Sequence, residues 1–432
     1  ESPNTNYIYF LLMILKRDIL YKVILTILFI TPLLIPSVEV NIVLISLISI
    51  VVFINDKHKY TKALVNIISP LLAILLIAIF STLFFKSEAF NCLKDFFFLA
   101  KPILYILMGY FIVGKIKDKE FAYKAIIYLA VFFALLHIYH AFTYLSNNEF
   151  DINLLRNNAG RGNVLEIFAF VLLLSKKGRF LCGYKPKYQK LIISILITSF
   201  ILYFSRTATV SILILFLSIN GYLAITRKGL VYITGFVVAV SLFYIYLFSV
   251  ELERGAPGIE GFLYKMKIAP EEIFNSEIDT KDHSDLWDHW RAYEALKAFE
   301  QIYDTPYYYG LVAGKGIGSL VDLGFVAPLN NEGGMQYITT LHNGYAYIAF
   351  KSGFIGLIFF IVFLLSLYLY VYLDTKNPRV KIINNLLSGI AIYYMFTTLI
   401  VSGVYNPRDF IGIIIGILLC LKHYHKTNIL KD

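Results

Sequence analysis

Apolar stretches of membrane length recur from one end of this 432-residue chain to the other, and that pattern restricts the fold more than any motif. Inside hydrocarbon, backbone amides and carbonyls find no water, so a crossing segment must satisfy them internally, as a helix does. Twelve spans are expected, at 20–36, 39–54, 63–85, 95–114, 125–145, 164–174, 191–204, 207–225, 229–250, 354–373, 382–402 and 410–421. Three of them, 164–174, 191–204 and 410–421, are short for a crossing of ~20 residues. With 58% hydrophobic and 16% charged residues and a mean hydropathy of +0.68, the chain holds more apolar surface than one soluble core could enclose. The expected class is an all-α polytopic membrane protein. An apolar patch at Tyr7–Leu15, ended by Lys16-Arg17-Asp18, is too brief to cross and is expected to lie in the interface. No cleavable signal is expected, because hydrophobicity recurs instead of standing once at the start.

The formal charge of +10 would suit a nucleic-acid binder, but its distribution points elsewhere. Lys57-His58-Lys59 with Lys62, then 115–124, 176–190, Arg227-Lys228, 376–381 and 422–431 fall on one side if both termini do. Together with Lys16, Arg17 and Lys22 these hold 24 of the 39 basic residues. By the positive-inside rule that side is cytoplasmic, and the charge is a topology signal; no nucleic acid is expected as a partner. Cys92, Cys182 and Cys420 lie far apart without a CxxC spacing, so they form no metal motif and indicate no redox compartment. On the outer side, 251–341 carries both tryptophans, with 15 acidic against 7 basic residues. Long connections without a job are uncommon. A helical extracytoplasmic subdomain is therefore expected there, dividing the chain into 1–250, 251–341 and 342–432. Pro270-Glu271-Glu272 opens one helix, and Trp287, Trp290, Tyr293, Leu296 and Phe299 set a three-residue apolar rhythm along another. No internal repeat is apparent.

Cations at the edge of hydrocarbon come next, since each costs at least ~2.5 kcal/mol on insertion scales. Arg206 is the clearest: Phe204-Ser205-Arg206-Thr207-Ala208 joins two apolar spans with almost no loop and pins the guanidinium at the outer mouth of the bundle. Its ordinary structural reading is a snorkelling side chain that anchors a tight hairpin. Arg156 and Arg161 belong to the same face, where loop solvation alone would explain at least one of them. Arg291 lies on a helix of the large loop, with a bridge to Glu294 or stacking on Trp287 as its structural explanations. Lys101, before Pro102, and Lys351 are further candidates for an inward-facing set, although Lys101 would equally pair with a carboxylate.

The run 339–353 brings a polar segment back to the edge of lipid. Asn343 reads as an N-cap, which sets His342 beside a positive helix terminus. Lys351 and Gly353 read as the last turn and C-cap of a short interface helix, ahead of a separate span at 354–373. A lone histidine ordinarily caps or packs. Here arginines share its side of the membrane, and an imidazole, with an unperturbed pKa of ~6.5, is well matched to taking a proton at neutral pH. The stretch Gly310–Gly318, containing Lys315, looks like a phosphate loop but lacks the GxxxxGKS or GxxxxGKT spacing; it is expected to be a turn-rich loop near the active cavity. Asp282, His283, Asp285, Asp288 and His289 suit a divalent ion by type, yet such residues in a solvated loop ordinarily bind none, and no metal is expected. No GxSxG nucleophile motif is present.

Ser-Arg-Thr-Ala at 205–208, the Arg291 helix ahead of a Pro- and Gly-rich stretch, and Leu-His-Asn-Gly-Tyr with Lys-Ser-Gly-Phe-Ile-Gly-Leu over 341–357 together resemble the O-antigen polymerase and O-antigen ligase superfamily. The resemblance is strongest over 190–373. It implies a GT-C-like helical fold and a metal-independent, inverting glycosyltransferase without a cofactor. It places the enzyme in the bacterial plasma (inner) membrane, with both termini cytoplasmic and the active site on the periplasmic, extracytoplasmic face. Its substrates would be undecaprenyl-diphosphate-linked oligosaccharides, with membrane lipid and a chain-length regulator protein as further partners. By position, Arg206 and Arg291 would match the arginines that hold the diphosphate, and His342 the base. Arg156, Arg161, Lys315 and Tyr345 are further substrate-binding candidates. The glycine-rich loop and Gly344 after His-Asn differ from the ligase pattern. A polymerase is the first reading and a ligase with a lipid A–core acceptor the second. A lipid-linked glycan flippase or other transporter would instead bury cations near the bilayer middle, and a non-enzymatic assembly scaffold is the remaining alternative.

Overall fold

The computed structural model of the chain describes residues 3–35, 37–55, 60–147, 163–183, 187–203, 205–256, 259–275, 278–279, 282–328 and 334–428. Helices dominate it. The first half runs α1 (Pro3–Leu34), α2 (Val38–Asn55), α3 (Lys62–Ser81), α4 (Ala89–Lys115), α5 (Phe121–Asn147), α6 (Asn163–Leu174), α7 (Lys176–Cys182), α8 (Gln189–Tyr203), α9 (Arg206–Ile219) and α10 (Arg227–Ser249). Shorter pieces follow in the large loop: α11 (Ile259–Lys267), α12 (Glu271–Phe274), α13 (His283–Asp288), α14 (Trp290–Tyr303) and α15 (Tyr309–Ala313). The chain closes with α16 (Gly344–Tyr368), α17 (Pro378–Val401) and α18 (Ile411–Asn428).

Among the described residues six helices are long and apolar enough to cross a membrane: Lys62–Phe84, Ala89–Lys115, Phe121–Ser146, Gly229–Ser249, Gly344–Tyr372 and Pro378–Val401. Four shorter apolar helices, Glu39–Phe53, Asn163–Leu174, Gln189–Tyr203 and Arg206–Ile219, stand with them. The short apolar stretch at 410–421 has a packing explanation. On α18, Ile411, Ile413, Ile414, Ile415, Ile417 and Leu418 are all buried, so this helix is enclosed on every side, mainly by α4. By contrast α10 exposes Leu230, Val231, Val237, Val238, Leu242 and Ile245, an apolar surface of the kind that lipid covers.

The structure corrects three expectations. Tyr7–Leu15 is not separated from the first expected span: it lies within the continuous 32-residue α1, because Lys16-Arg17-Asp18 contains no helix breaker. Asp18 instead bridges Lys22 one turn on, at 2.7 Å. The 251–341 segment, expected to be helical, is not wholly so. Val321–Ala327 (β1) and Met335–Ile338 (β2) form an antiparallel pair, in register at Val321 with Ile338 and Asp322 with Tyr337, that packs on α14. Third, Lys351 does not face an open cavity. Its ammonium bonds the Asp95 carboxylate on α4 at 2.5 Å, and both side chains are 1% exposed. Asp95 also accepts from the Gly318 amide, and Lys351 donates to the Ser319 carbonyl, so this pair fastens the glycine-rich loop to the bundle.

The expected break at Gly353 is present inside α16. Its φ of 65° and ψ of −169° are non-helical, and a Cβ there would meet the Val312 carbonyl oxygen at 2.2 Å. A short segment from Gly344 thus leads into a longer apolar helix. Breaking a buried ion pair by removing one partner is costly, because the other charge stays buried alone. Asp95→Asn is accordingly expected to destabilise the bundle by about 3–5 kcal/mol, read as a lower Tm in detergent. The double change Asp95→Leu with Lys351→Met is expected to cost less than the single one.

Candidate functional site

The α8–α9 hairpin is set by a local signal. Ser205 takes the N-cap position of α9, its hydroxyl accepting from the Ala208 amide at 3.2 Å, and Arg206 is the first residue of the helix. That places the guanidinium at the helix mouth, where it meets the large loop. Its Nη2 donates to both Glu272 oxygens at 3.2 and 3.3 Å, and Nη1 donates to the Lys265 carbonyl. Glu272 sits on α12, the helix that Pro270 opens. Its Oε2 also accepts from Arg291 Nη1 at 2.5 Å. Two guanidinium groups, from α9 and α14, therefore converge on one carboxylate. Neither expected structural partner of Arg291, Glu294 or Trp287, is its bonding partner.

Glu294 lies one turn beyond Arg291 on α14 and is engaged with His342. The His342 backbone amide and Nδ1 lie 3.0 and 2.9 Å from Glu294 Oε2. Two N–H groups donating to one carboxylate oxygen hold the ring with Nδ1 protonated, which leaves Nε2 with its lone pair in the neutral imidazole. The carboxylate is 3% exposed and the imidazole 52% exposed, so a buried anchor orients an accessible base. Asn343 caps α16 as expected, its oxygen accepting from the Tyr345 and Ala346 amides at 3.0 and 3.2 Å. Behind this turn the Ser402 amide donates to the His342 carbonyl at 2.6 Å, and the Ser402 hydroxyl donates to the Leu341 carbonyl. The approach is close: a Cβ on Gly344 would stand 2.8 Å from the Ser402 carbonyl oxygen.

Next to this arrangement opens a cavity of about 570 Å³. Arg206, Glu272, Arg291, Arg408 and Asp409 are its charged lining residues; Leu33, Val210, Tyr244, Phe274, Phe396 and Ile400 supply apolar walls. Gly403, beside the Ser402 that holds His342, also lines it, while His342 itself does not. Arg408 was not singled out from the sequence. It is exposed, and no hydrogen bond or ion pair engages its guanidinium among the described residues. Its turn is braced from below by Lys101, which donates to the Asn406 and Pro407 carbonyls, and by Tyr394, whose hydroxyl donates to Asp409 at 2.8 Å. Lys101 therefore acts on the turn that carries a pocket arginine.

Other candidates stand apart. Lys315 lies over the Phe350 ring at 5.6 Å, and its amide donates to the Phe350 carbonyl at 2.7 Å. Burial, and then the nearby Lys351 ammonium, lower its pKa from the ordinary lysine value. Its glycine-rich loop packs on α3 and α16 and does not line the cavity. Tyr345 donates to the Met395 carbonyl at 3.0 Å and rests edge-on against Phe360. Arg156 and Arg161 lie outside the described residues. Asp285 and Asp288, considered above as metal ligands, face His289 and Arg254 at 2.9 and 2.8 Å.

Glu272→Gln removes the charge that both arginines share. Hydrogen bonds to charged groups contribute roughly 1.5–3 kcal/mol, and partial exposure puts this one at the lower end. The expected outcome is several-fold faster proteolytic cleavage within 251–288, scored against the unaltered bundle. No protein-family model matches this chain, and no curated protein matches it.

Proposed function

We propose that the chain is a membrane glycosyltransferase that takes a glycan from a polyprenyl diphosphate, with a second lipid-linked glycan as acceptor. The observation that carries this reading is the convergence of Arg206 and Arg291 on the lining of a cavity whose walls are largely apolar, one helical turn from the Glu294–His342 pair. A cavity with guanidinium groups and apolar walls suits an anion attached to hydrocarbon. The resemblance described above supports the same substrate class. On this reading the twelve apolar stretches cross the plasma membrane, the fold is GT-C-like, and the site opens outside the cell.

The chemistry fits those residues. Cleaving a sugar–diphosphate bond leaves a stable anion, so the site needs positive charge on the departing oxygens more than it needs a general acid. Guanidinium forks bind phosphate through paired hydrogen bonds and remain charged. An incoming diphosphate would compete with Glu272 for both arginines, and Arg408 would add a third cation. The acceptor hydroxyl attacks the anomeric carbon from the face opposite the leaving group. Its proton passes to His342 Nε2, the bond to the diphosphate oxygen breaks with its electron pair, and the configuration inverts. Glu294 holds the ring and stabilises the imidazolium that forms.

Purified protein, given a polyprenyl-diphosphate repeat unit with and without a lipid A–core acceptor, tests the reading. Elongated lipid-linked product without the core acceptor supports a polymerase. Transfer that needs the core makes the protein a ligase, and no transfer in either arm overturns the assignment. His342→Ala is expected to lower turnover by roughly 10²–10⁴, and Arg206→Ala by roughly 10²–10³. Each should leave the protein folded in the membrane, although Arg206→Ala also loosens the segment that Glu272 docks on α9; full turnover in either removes the mechanism. Arg291→Lys is also expected to fail, since an ammonium cannot make two parallel bonds to a phosphate. Arg408→Ala is expected to raise KM more than it lowers kcat.

A further inference from the structure

Below the cavity, three helices bury a polar cluster that the transfer chemistry does not use. Glu166 on α6 is 0% exposed, Ser199 on α8 0%, His137 on α5 2% and Tyr203 on α8 5%. The Ser199 hydroxyl donates to Glu166 Oε2 at 2.6 Å, and the Tyr203 hydroxyl donates to Glu166 Oε1 at 2.9 Å. His137 Nδ1 lies 2.8 Å from Ser199 Oγ, and its ring stacks on Tyr203 at 3.9 Å. His137 Nε2 is buried and has no hydrogen-bond partner among the described residues.

Proton counting makes this pattern incomplete. Ser199 has one proton and spends it on Glu166, so it must accept from His137, which puts the imidazole proton on Nδ1. Nε2 is then a bare acceptor with no donor, and the carboxylate is an anion whose bonds come only from neutral hydroxyls. An uncompensated charge in an apolar interior is costly, and one added proton cancels it. The proton can be taken at either end. On Nε2 it makes an imidazolium facing the carboxylate across the serine. On Glu166 it reverses the chain, the carboxyl donating to Ser199 and Ser199 donating to Nδ1, with the former Nδ1 proton carried on Nε2. Both forms hold the same number of protons.

We propose that Glu166, Ser199 and His137 form an intramembrane proton-binding site holding one exchangeable proton, shared between carboxyl and imidazole through the serine. The helices packed on α6 bring few other charges. His140 on α5 stands one turn from His137, and Tyr203 is already a donor. Arg206, the one charged residue of α9, is held by Glu272. Lys176, Lys177 and Arg179 of α7 lie beyond the far end of α6. Occupancy bears on the cavity, because Asn163 and Val164, in the first turn of α6, line it.

The test does not depend on the transferase reading. Infrared spectra of the full chain in nanodiscs, stepped in pH, should show a buried carboxylic C=O stretch that Glu166→Gln removes. In His137→Asn the band should gain intensity per protein at its plateau, by about twofold for an equal share, because the imidazole no longer takes part of the one proton. Ser199→Ala keeps both titrating groups but cuts the link between them, and should change the plateau intensity as well. Spectra that Glu166→Gln leaves unchanged at every pH would make the cluster a fixed hydrogen-bond network and overturn the proposal. A Glu166 band whose plateau intensity ignores both His137→Asn and Ser199→Ala would overturn the sharing.

Discussion

A charge placed where water is scarce must be answered by another group, and that constraint shapes this molecule from α4 to α18. Lys351 is answered by Asp95 deep in the bundle. Lys101 is answered by two backbone carbonyls, Glu166 by two hydroxyls, and Arg206 with Arg291 by Glu272. These contacts join different elements of the fold, so meeting the electrostatic demand also docks the 251–341 segment on the helices. The glycine-rich loop is held by the Asp95–Lys351 pair, and α12 and α14 are held against α9 through one carboxylate.

The contacts differ in what they leave accessible. Asp95 and Lys351 are sealed and serve packing. Glu272 is shared by two cations on the lining of a cavity, where a ligand anion could take its place. Glu294 is sealed while the imidazole it orients is half exposed. From enclosed pair to shared carboxylate to oriented base, accessibility to water rises. Lys101 belongs to both groups, since it is buried itself yet braces the turn that presents Arg408.

Much of the site was legible because polar residues at the ends of apolar stretches are conspicuous. Ser205 before Arg206 and Asn343 after His342 are capping signals, and both caps are present. Arg408 carried a similar signal, Asn-Pro-Arg-Asp between two apolar runs, and was passed over. Glu272 and Glu294 were harder: in a loop with 15 acidic residues, nothing local marks the two that become buried partners. Lys351 does stand at the expected break before Gly353, but it misled as a cavity-facing cation, because the carboxylate that engages it lies 256 residues away.

By itself the amino-acid sequence determined that this chain is helical and largely apolar, with a long polar segment and breaks at Ser205, Asn343 and Gly353. Those features follow from period, capping and backbone freedom, all of which act within a few residues. Only the tertiary structure decided which charges meet: that Arg206 and Arg291 share Glu272, that Glu294 rather than an arginine holds His342, and that Lys351 is spent on Asp95. The reason is physical. Pairing is chosen by whichever opposite charge is carried into the same dry space, and that depends on how whole helices pack.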